Sequence, residues 1–427
     1  MRRKGGGSGR NPFRRDNPLA ASYLCVFLYS SGEASLHVLV PPYLSDGRGF
    51  GPGLIGTVLA IFGLSSLLTR LPVGAGYRAT RVRPLLLAGG ILSAGAFAVM
   101  PFIDGPVVIA GLMAMDGVGW AMATTTQLTV LVASRPSHLA IASVMGWYSG
   151  FTGLGNAVGG AAAGMVADGL GYTAGFLLLA SFPALATVVM LRSLPGQLAA
   201  ASQANDAERS DDAPGHTIRR TDSPQSMLSV VRSAGTLPMA VYGGALIMFF
   251  INVHNALLST FQPVLALAAG LTLTQIGLLA SVRSLTSSAT RIASGPIFSR
   301  VSGRSLTTPM FLIGVATLYL VPVFRESFWL QAVVFALAGL SRGLLRVTGT
   351  ASAFEDAGDG RPHGLVSAFL YMGLDLGKVL GPPIGGVLAE WVGVPAMFKV
   401  AAAGLFAAYL AFLLAARLRG SAARRAA

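Results

Sequence analysis

Glu33, His37, Asp116, His254, Arg283, Arg342, Arg346, Asp375 and Lys378 all stand inside long apolar runs. Ionisable groups in such surroundings are costly, so they mark places where a proton, an ion or a charged ligand is handled. Glu33 has Ser30, Ser31 and Ser35 around it, and a low-dielectric setting penalises its charged form, which suits a group that takes and releases a proton. His37 lies one turn on, on the same helical face, as a fixed partner of Glu33 or as a ligand contact. His254, between Asn252 and Asn255, reads as polar cavity lining or as a hydrogen-bonded interhelical histidine. Arg283 has no acid within one turn. It binds an anionic group or pairs with a carboxylate of another helix, for which Asp375 is the candidate unless Lys378, three residues on, claims it first. Arg342 is expected to pair or gate. Arg346, Arg70 and Arg291 lie nearer segment ends and are expected to snorkel or hold an interface.

Other chemistry has no foothold. Cys25, the single cysteine, rules out a disulfide framework and a cysteine metal cluster. MGLDLGKV at 372–379 resembles a phosphate loop, but Met372 and Val379 stand where Gly and Ser or Thr are required. No H-E-x-x-H or C-x-x-C occurs. The expectation is no enzyme, no metal and no cofactor.

The elements that must position these groups follow from composition. Charged residues are 11% of the 427, apolar residues 53%, and the mean hydropathy is +0.64. So few charges cannot cover a water-soluble surface of this size, so lipid is the solvent for most of the chain. Runs of spanning length fall at 19–41, 53–74, 84–103, 106–132, 140–165, 173–192, 237–262, 273–297, 306–324, 327–350, 364–389 and 394–416. Their sustained length predicts helices rather than barrel strands. The fold expected is an all-α membrane protein of twelve transmembrane helices. Residues 193–236, rich in charge and proline, read as a linker between bundles 19–192 and 237–416, with tails 1–18 and 417–427. The net charge of +14 invites nucleic acid, but the arginines cluster in short loops on one side of the spans. The positive-inside rule then places both termini and the linker in the cytoplasm of a multi-pass protein of the cell membrane, and no nucleic acid is implied.

The two halves repeat. Ile55–Leu71 aligns with Ile276–Ile292 without a gap, carrying Arg70 onto Arg291. Gly155, Gly159 and Gly160 align with Gly381, Gly385 and Gly386, at an offset that also brings Asp116 onto Arg342. Six spans followed by six in the same orientation form a parallel repeat about an axis along the membrane normal.

With this repeat and its central linker, the chain resembles the major facilitator superfamily of secondary transporters. The loops after spans 2 and 8, GAGYRATRVR and GPIFSRVSGR, resemble that family's G-x-x-x-D-R-x-G-R motif. Arg78 and Ser299 replace its Asp, which in the family helps latch the halves together. Span 5 resembles the exporters' G-P-x-x-G-G motif, with Asn156 in place of the proline. In the family spans 3, 6, 9 and 12 lie outside, and here they carry almost no deep charge.

The resemblance implies alternating access to a mid-membrane site by a monomer in the lipid bilayer, with protons as coupling ion and a small organic molecule as substrate. Glu33, Asp116 and Asp375 are the candidate proton carriers. Arg283, His254, Asn255, His37, Asn156 and Lys378 are the candidate substrate contacts. Arg70, Arg78, Arg291, Arg300 and Arg342 are the candidate gating residues. Efflux by antiport is the expected direction. Uptake of an organic anion is the alternative, and a membrane sensor or scaffold that transports nothing is the reading from another class.

Overall fold

A computed structural model of the chain describes residues 19–75, 79–134, 141–211, 239–294, 298, 303–357 and 363–426. The described residues are helical and contain no strand. The helices are α1 (Ala20–Pro42), α2 (Pro52–Ala75), α3 (Ala79–Val99) and α4 (Pro106–Ala133). The helix Ile141–Asp211 follows, and α5 and α6 are its two limbs, 141–170 and 172–211, on either side of Gly171. Then come α7 (Met239–Ala268), α8 (Leu273–Ile292), α9 (Gly303–Leu320), α10 (Phe328–Ala357), α11 (His363–Val392) and α12 (Val394–Ala426). Gly171 is bent by a φ of 85°, a value that only glycine adopts without strain.

Among the described residues eight segments are long and apolar enough to cross a membrane, and one of them covers both limbs of the bent helix. Large apolar side chains point out of the bundle: Val107, Leu170, Trp329 and Trp391 are three-quarters exposed or more. In water such a surface would drive aggregation, whereas in a bilayer it is the lipid-facing coat.

Two sequence expectations change. The helix continues to Asp211, so the first part of the expected linker, 193–211, is helical. Its run of Ala, Gln and Leu forms helix readily, which outweighs the weak apolar pattern. Likewise the expected tail from 417 continues α12 to Ala426. Residues 212–238, the N-terminal tail 1–18, and the loops holding Arg78 and Arg300 lie outside the described residues.

Packing follows the repeat. Within the first six helices α1 packs on α5 and α6, α2 on α4, and α3 on α4. Within the last six α7 packs on α11, α8 on α10, and α9 on α10, the equivalent pairs. Two seams join the bundles, α2 against α11 and α5 against α8, and the repeat exchanges one for the other. Small residues let the seams close. A Cβ on Gly56 would strike the Pro382 carbonyl, and one on Gly277 would strike the Gly160 carbonyl. α1 is the most enclosed membrane span, with 78% of its window buried, and α12 the least, with 22%. The first candidate proton carrier therefore stands on the central helix.

Candidate functional site

The central charges gather where α1, α2 and α4 meet α11. α1 presents two faces. Ser31 and Ser35, fully buried, donate to the Gly155 and Gly159 carbonyls of α5 at 3.1 and 2.9 Å. They tie α1 to its own bundle and are not partners of Glu33, as the sequence reading had grouped them. Glu33 instead meets Lys378, with Nζ 3.5 Å from Oε1. This ion pair links the two bundles. The two side chains keep 26% and 31% of their surface accessible, so they line a void rather than a packed core.

The ammonium of Lys378 also lies over two aromatic faces, 4.6 Å from the Trp120 ring centroid and 5.1 Å from that of Phe62. The rings themselves are 5.9 Å apart. The guanidinium of Arg70 stands 4.6 Å from Trp120 as well. An aromatic face attracts a cation through its quadrupole, worth up to about 2 kcal/mol where water is scarce. Glu33, Phe62 and Trp120 thus form a cage whose resident cation is a side chain of the opposite bundle.

Behind the cage lies a small cavity, walled by Tyr29, Glu33, Phe62, Ser93, Asp116 and Trp120 among others. Asp116 is 2% exposed and faces this cavity with Glu33. It does not pair with Arg342, its repeat equivalent. A second small cavity at the α2–α11 seam brings Arg70 together with Asp375 and Lys378. Arg70 therefore lines the centre as well as the seam. Lys378 bridges to Glu33 rather than to Asp375, its neighbour in sequence, because the α11 face that carries it turns toward α1 and α2.

In the second bundle α8 carries Arg283 and Arg291, and α10 carries Arg342 and Arg346. Arg283 lies 5.8 Å over the Phe335 ring, and its Nη1 is buried without a hydrogen-bond partner. The charges of Arg283, Arg291 and Arg346 all act on Arg342. Among the described residues no carboxylate forms an ion pair with Arg283 or Arg342. Asn255 Oδ1 and His37 Nδ1 are also buried and unpartnered. A buried polar atom without a partner calls for water or a ligand.

Other expected contacts are used elsewhere. His254 is 3% exposed and shares a hydrogen bond of 3.0 Å with Thr317 of α9, so it is taken up inside its own bundle. Asn252 donates to the Leu374 carbonyl of α11. Arg291 donates to Ser287 and Ser288 of its own helix. Asn156 is half-buried on α5. Among the described residues no group of His, Cys, Asp and Glu is arranged to hold a metal.

Sequence reasoning missed Phe62, Tyr29 and Ser93 altogether. An aromatic or a serine in an apolar run carries no signal of its own until a charge is known to face it.

The sequence profile of the Major Facilitator Superfamily matches residues 22–268 and 244–426. The chain is 26% identical to the mouse MFS-type transporter SLC18B1 over 382 residues, 82% of this chain and 76% of that one. It is likewise 26% identical to an uncharacterised MFS-type transporter of Mycobacterium tuberculosis (strain ATCC 25618 / H37Rv), over 81% of this chain and 79% of that one. Among solved structures it resembles the nucleoside transporter NupG, with a TM-score of 0.73, 11% identity, and coverage of 93% and 98% of the two chains. A bacterial homologue of the human lysosomal transporter Spinster, inward-facing and unoccupied, matches with a TM-score of 0.65, 14% identity, and coverage of 93% and 94%.

Proposed function

The chain belongs to the Major Facilitator Superfamily, a family of secondary transporters, and on that premise we propose that it exports a small organic molecule in exchange for protons by alternating access. The observation that carries this reading is the Glu33–Lys378 bridge between the bundles, held in the Trp120 and Phe62 cage. A proton delivered to Glu33 removes the charge that holds Lys378. The bridge then weakens, and the bundles are free to rock about the site between them. Loss of that proton on the other side restores the bridge. Asp116 and Asp375 extend the proton route, since each shares a cavity with one partner of the bridge.

Arg283, Asn255 and His37 supply the polar atoms left for substrate, and Lys378 and Asn156 complete the proposed set. His254 leaves that set because of its bond to Thr317. Arg70, Arg291 and Arg342 hold or gate the seams. The protein works as a monomer in the cell membrane with both termini in the cytoplasm.

The test is proton flux in proteoliposomes under an imposed gradient, using a compound found by thermal-shift screening of the purified protein. Wild type moves the compound with the gradient, and Glu33→Gln loses that dependence. Undiminished gradient-driven transport by Glu33→Gln removes Glu33 from the mechanism.

A second reading rests on Arg283 and Arg342, which form no ion pair with a carboxylate among the described residues. Unbalanced cations between the helices suit an organic anion, moved inward. Accumulation assays on a deletion strain separate the two: raised internal substrate on deletion means export, and lowered substrate means uptake.

A further inference from the structure

Both seams between the bundles end, on the side away from the chain termini, in the same arrangement. At the α5–α8 seam the carboxylate of Asp168 accepts two backbone hydrogen bonds from the first turn of α8. Leu273 N donates to Oδ1 at 3.0 Å and Thr274 N to Oδ2 at 2.6 Å. At the α2–α11 seam Gly53 N, in the first turn of α2, donates to Glu390 Oε1 at 3.2 Å. Gly53 and Thr274 are equivalent positions of the repeat, at the offset that carries Arg70 onto Arg291. Asp168 and Glu390 correspond as well: Ala167-Asp168 aligns with Ala389-Glu390, and each acid stands three residues before a glycine of positive φ, Gly171 and Gly393. The same contact is therefore built at both seams, once with an aspartate and once with a glutamate.

The N-terminus of α8 is incomplete without its partner. Thr272 and Gln275 form a capping box, each side chain serving the other's backbone N–H at 3.2 and 3.0 Å. That leaves Leu273 and Thr274 as the free donors of the first turn, and both are taken by Asp168 of the other bundle. A carboxylate at a helix start also meets the positive end of the helix dipole. At α2, Pro52 has no N–H to offer, and Gly53 leaves room for Glu390, whose carboxylate occupies the place of a Cβ.

Backbone meets backbone at this end of the seams. Gly56, Gly164, Gly277 and Gly386 each have backbone of the other bundle where a Cβ would sit, and nearer the middle Gly153 of α5 meets the Ser288 side chain of α8 instead. Toward the termini, Gly63 has no atom nearer than 3.7 Å, and Gly150 and Gly146, on the same stripe of α5, meet nothing within 4 Å.

We propose that Asp168 and Glu390 are the gate of this transporter on the face away from its termini, each holding one seam shut by capping the first turn of the facing helix and letting go when the bundles rock apart. This rests on the alternating-access reading. Its test is an accessibility measurement that needs neither a substrate nor a proton gradient, so failure of the gate and failure of proton-coupled transport are told apart.

Cys25, buried in the first bundle, is replaced by serine. A single cysteine then replaces Ala280, partly buried in the α5–α8 seam beside Gly160. A membrane-impermeant maleimide is applied to the face away from the termini. The background protein is expected to label slowly. Asp168→Ala with Glu390→Ala is expected to label at least about three-fold faster, a modest factor because both carboxylates are exposed, and Asp168→Asn with Glu390→Gln is expected to fall between. Thr272→Ala, which breaks the capping box and leaves the contact between bundles, is expected to label like the background. Thermal unfolding in detergent confirms that each variant is folded. Equal labelling of the background and the double alanine variant overturns the proposal. So does Thr272→Ala labelling as fast as the double variant, since helix fraying alone would then explain the effect.

Discussion

Lys378 of α11 reaches into the first bundle and ends 3.5 Å from Glu33 of α1, with the rings of Trp120 and Phe62 beneath its ammonium. One side chain thereby makes an ion pair and two cation–π contacts across the boundary between bundles. Its carboxylate partner is shared with the cavity that holds Asp116.

This arrangement predicts coupling between positions 33 and 378. Glu33→Gln and Lys378→Gln are each expected to lower thermal stability, and the double variant to lose less than their sum. The coupling should be on the order of 1 kcal/mol, since both side chains keep contact with an open cavity. Strict additivity in a double-mutant cycle would mean that the pair does no work in this state.

Trp120 serves two cations, Lys378 and Arg70. Trp120→Ala should cost roughly 3 kcal/mol or more from lost packing and lost cation–π attraction. Trp120→Phe keeps a weaker face and should recover part of this. If phenylalanine and alanine prove equally damaging in unfolding measurements, the ring's attraction for the cations is not what matters.

The seams predict a different sensitivity at their two ends. Gly277→Ala must push α5 and α8 apart, because the added methyl meets the Gly160 carbonyl. Gly150→Ala meets nothing within 4 Å. The first is expected to destabilise by about 1–3 kcal/mol as overpacking, and the second to be neutral or slightly stabilising. Thermal unfolding of the two variants side by side decides this, and a neutral Gly277→Ala would contradict the close approach.

Asp168, in the last turn of α5 and beyond the apolar run 140–165, gives a pH prediction. Burial raises its carboxyl, but hydrogen bonds from Thr274, Thr272 and Leu273 outweigh this and hold it below its ordinary value. A depressed pKa means that the contact's stabilisation is fully present above the unfolded-state value, about 3.9. It is lost only as pH falls through the lower folded value. Tyr172 is a neighbouring titratable group on which Asp168 acts. Labelling of the cysteine at position 280, taken relative to a freely exposed thiol so that the thiolate's own pH dependence cancels, should therefore be flat from about pH 8 down to pH 5 and rise only in stronger acid. A rise near neutral pH would show that another group controls that face.

Much of this architecture is legible in the chain itself. The offset that carries Arg70 onto Arg291 foretells that Gly56 and Gly277 do the same work, and they do, each against the opposite bundle. The placement of Glu33 and Lys378 within apolar runs foretells that both need partners. The sequence neighbour Asp375 misled about which partner Lys378 takes, because adjacency along one helix says nothing about what another helix presents. For His254 the sequence left two readings, cavity lining or an interhelical hydrogen bond, and Thr317, some sixty residues on, decides for the second by taking its ring nitrogen.

The amino-acid sequence determined what the bilayer itself enforces. Apolar run length follows from hydrocarbon thickness, helicity from the need to satisfy every backbone group without water, and the doubling of the bundle from repetition of the chain. Tertiary structure alone decided how each helix is rotated about its axis and which helix it faces. Each residue turns a helix by about 100°, and a shift of one position sends a charge to another neighbour. Hence the bridge from Lys378 to Glu33, the aromatic cage around it, and the carboxylates of Asp168 and Glu390 on helix starts of the opposite bundle came into view only once the two halves were packed together.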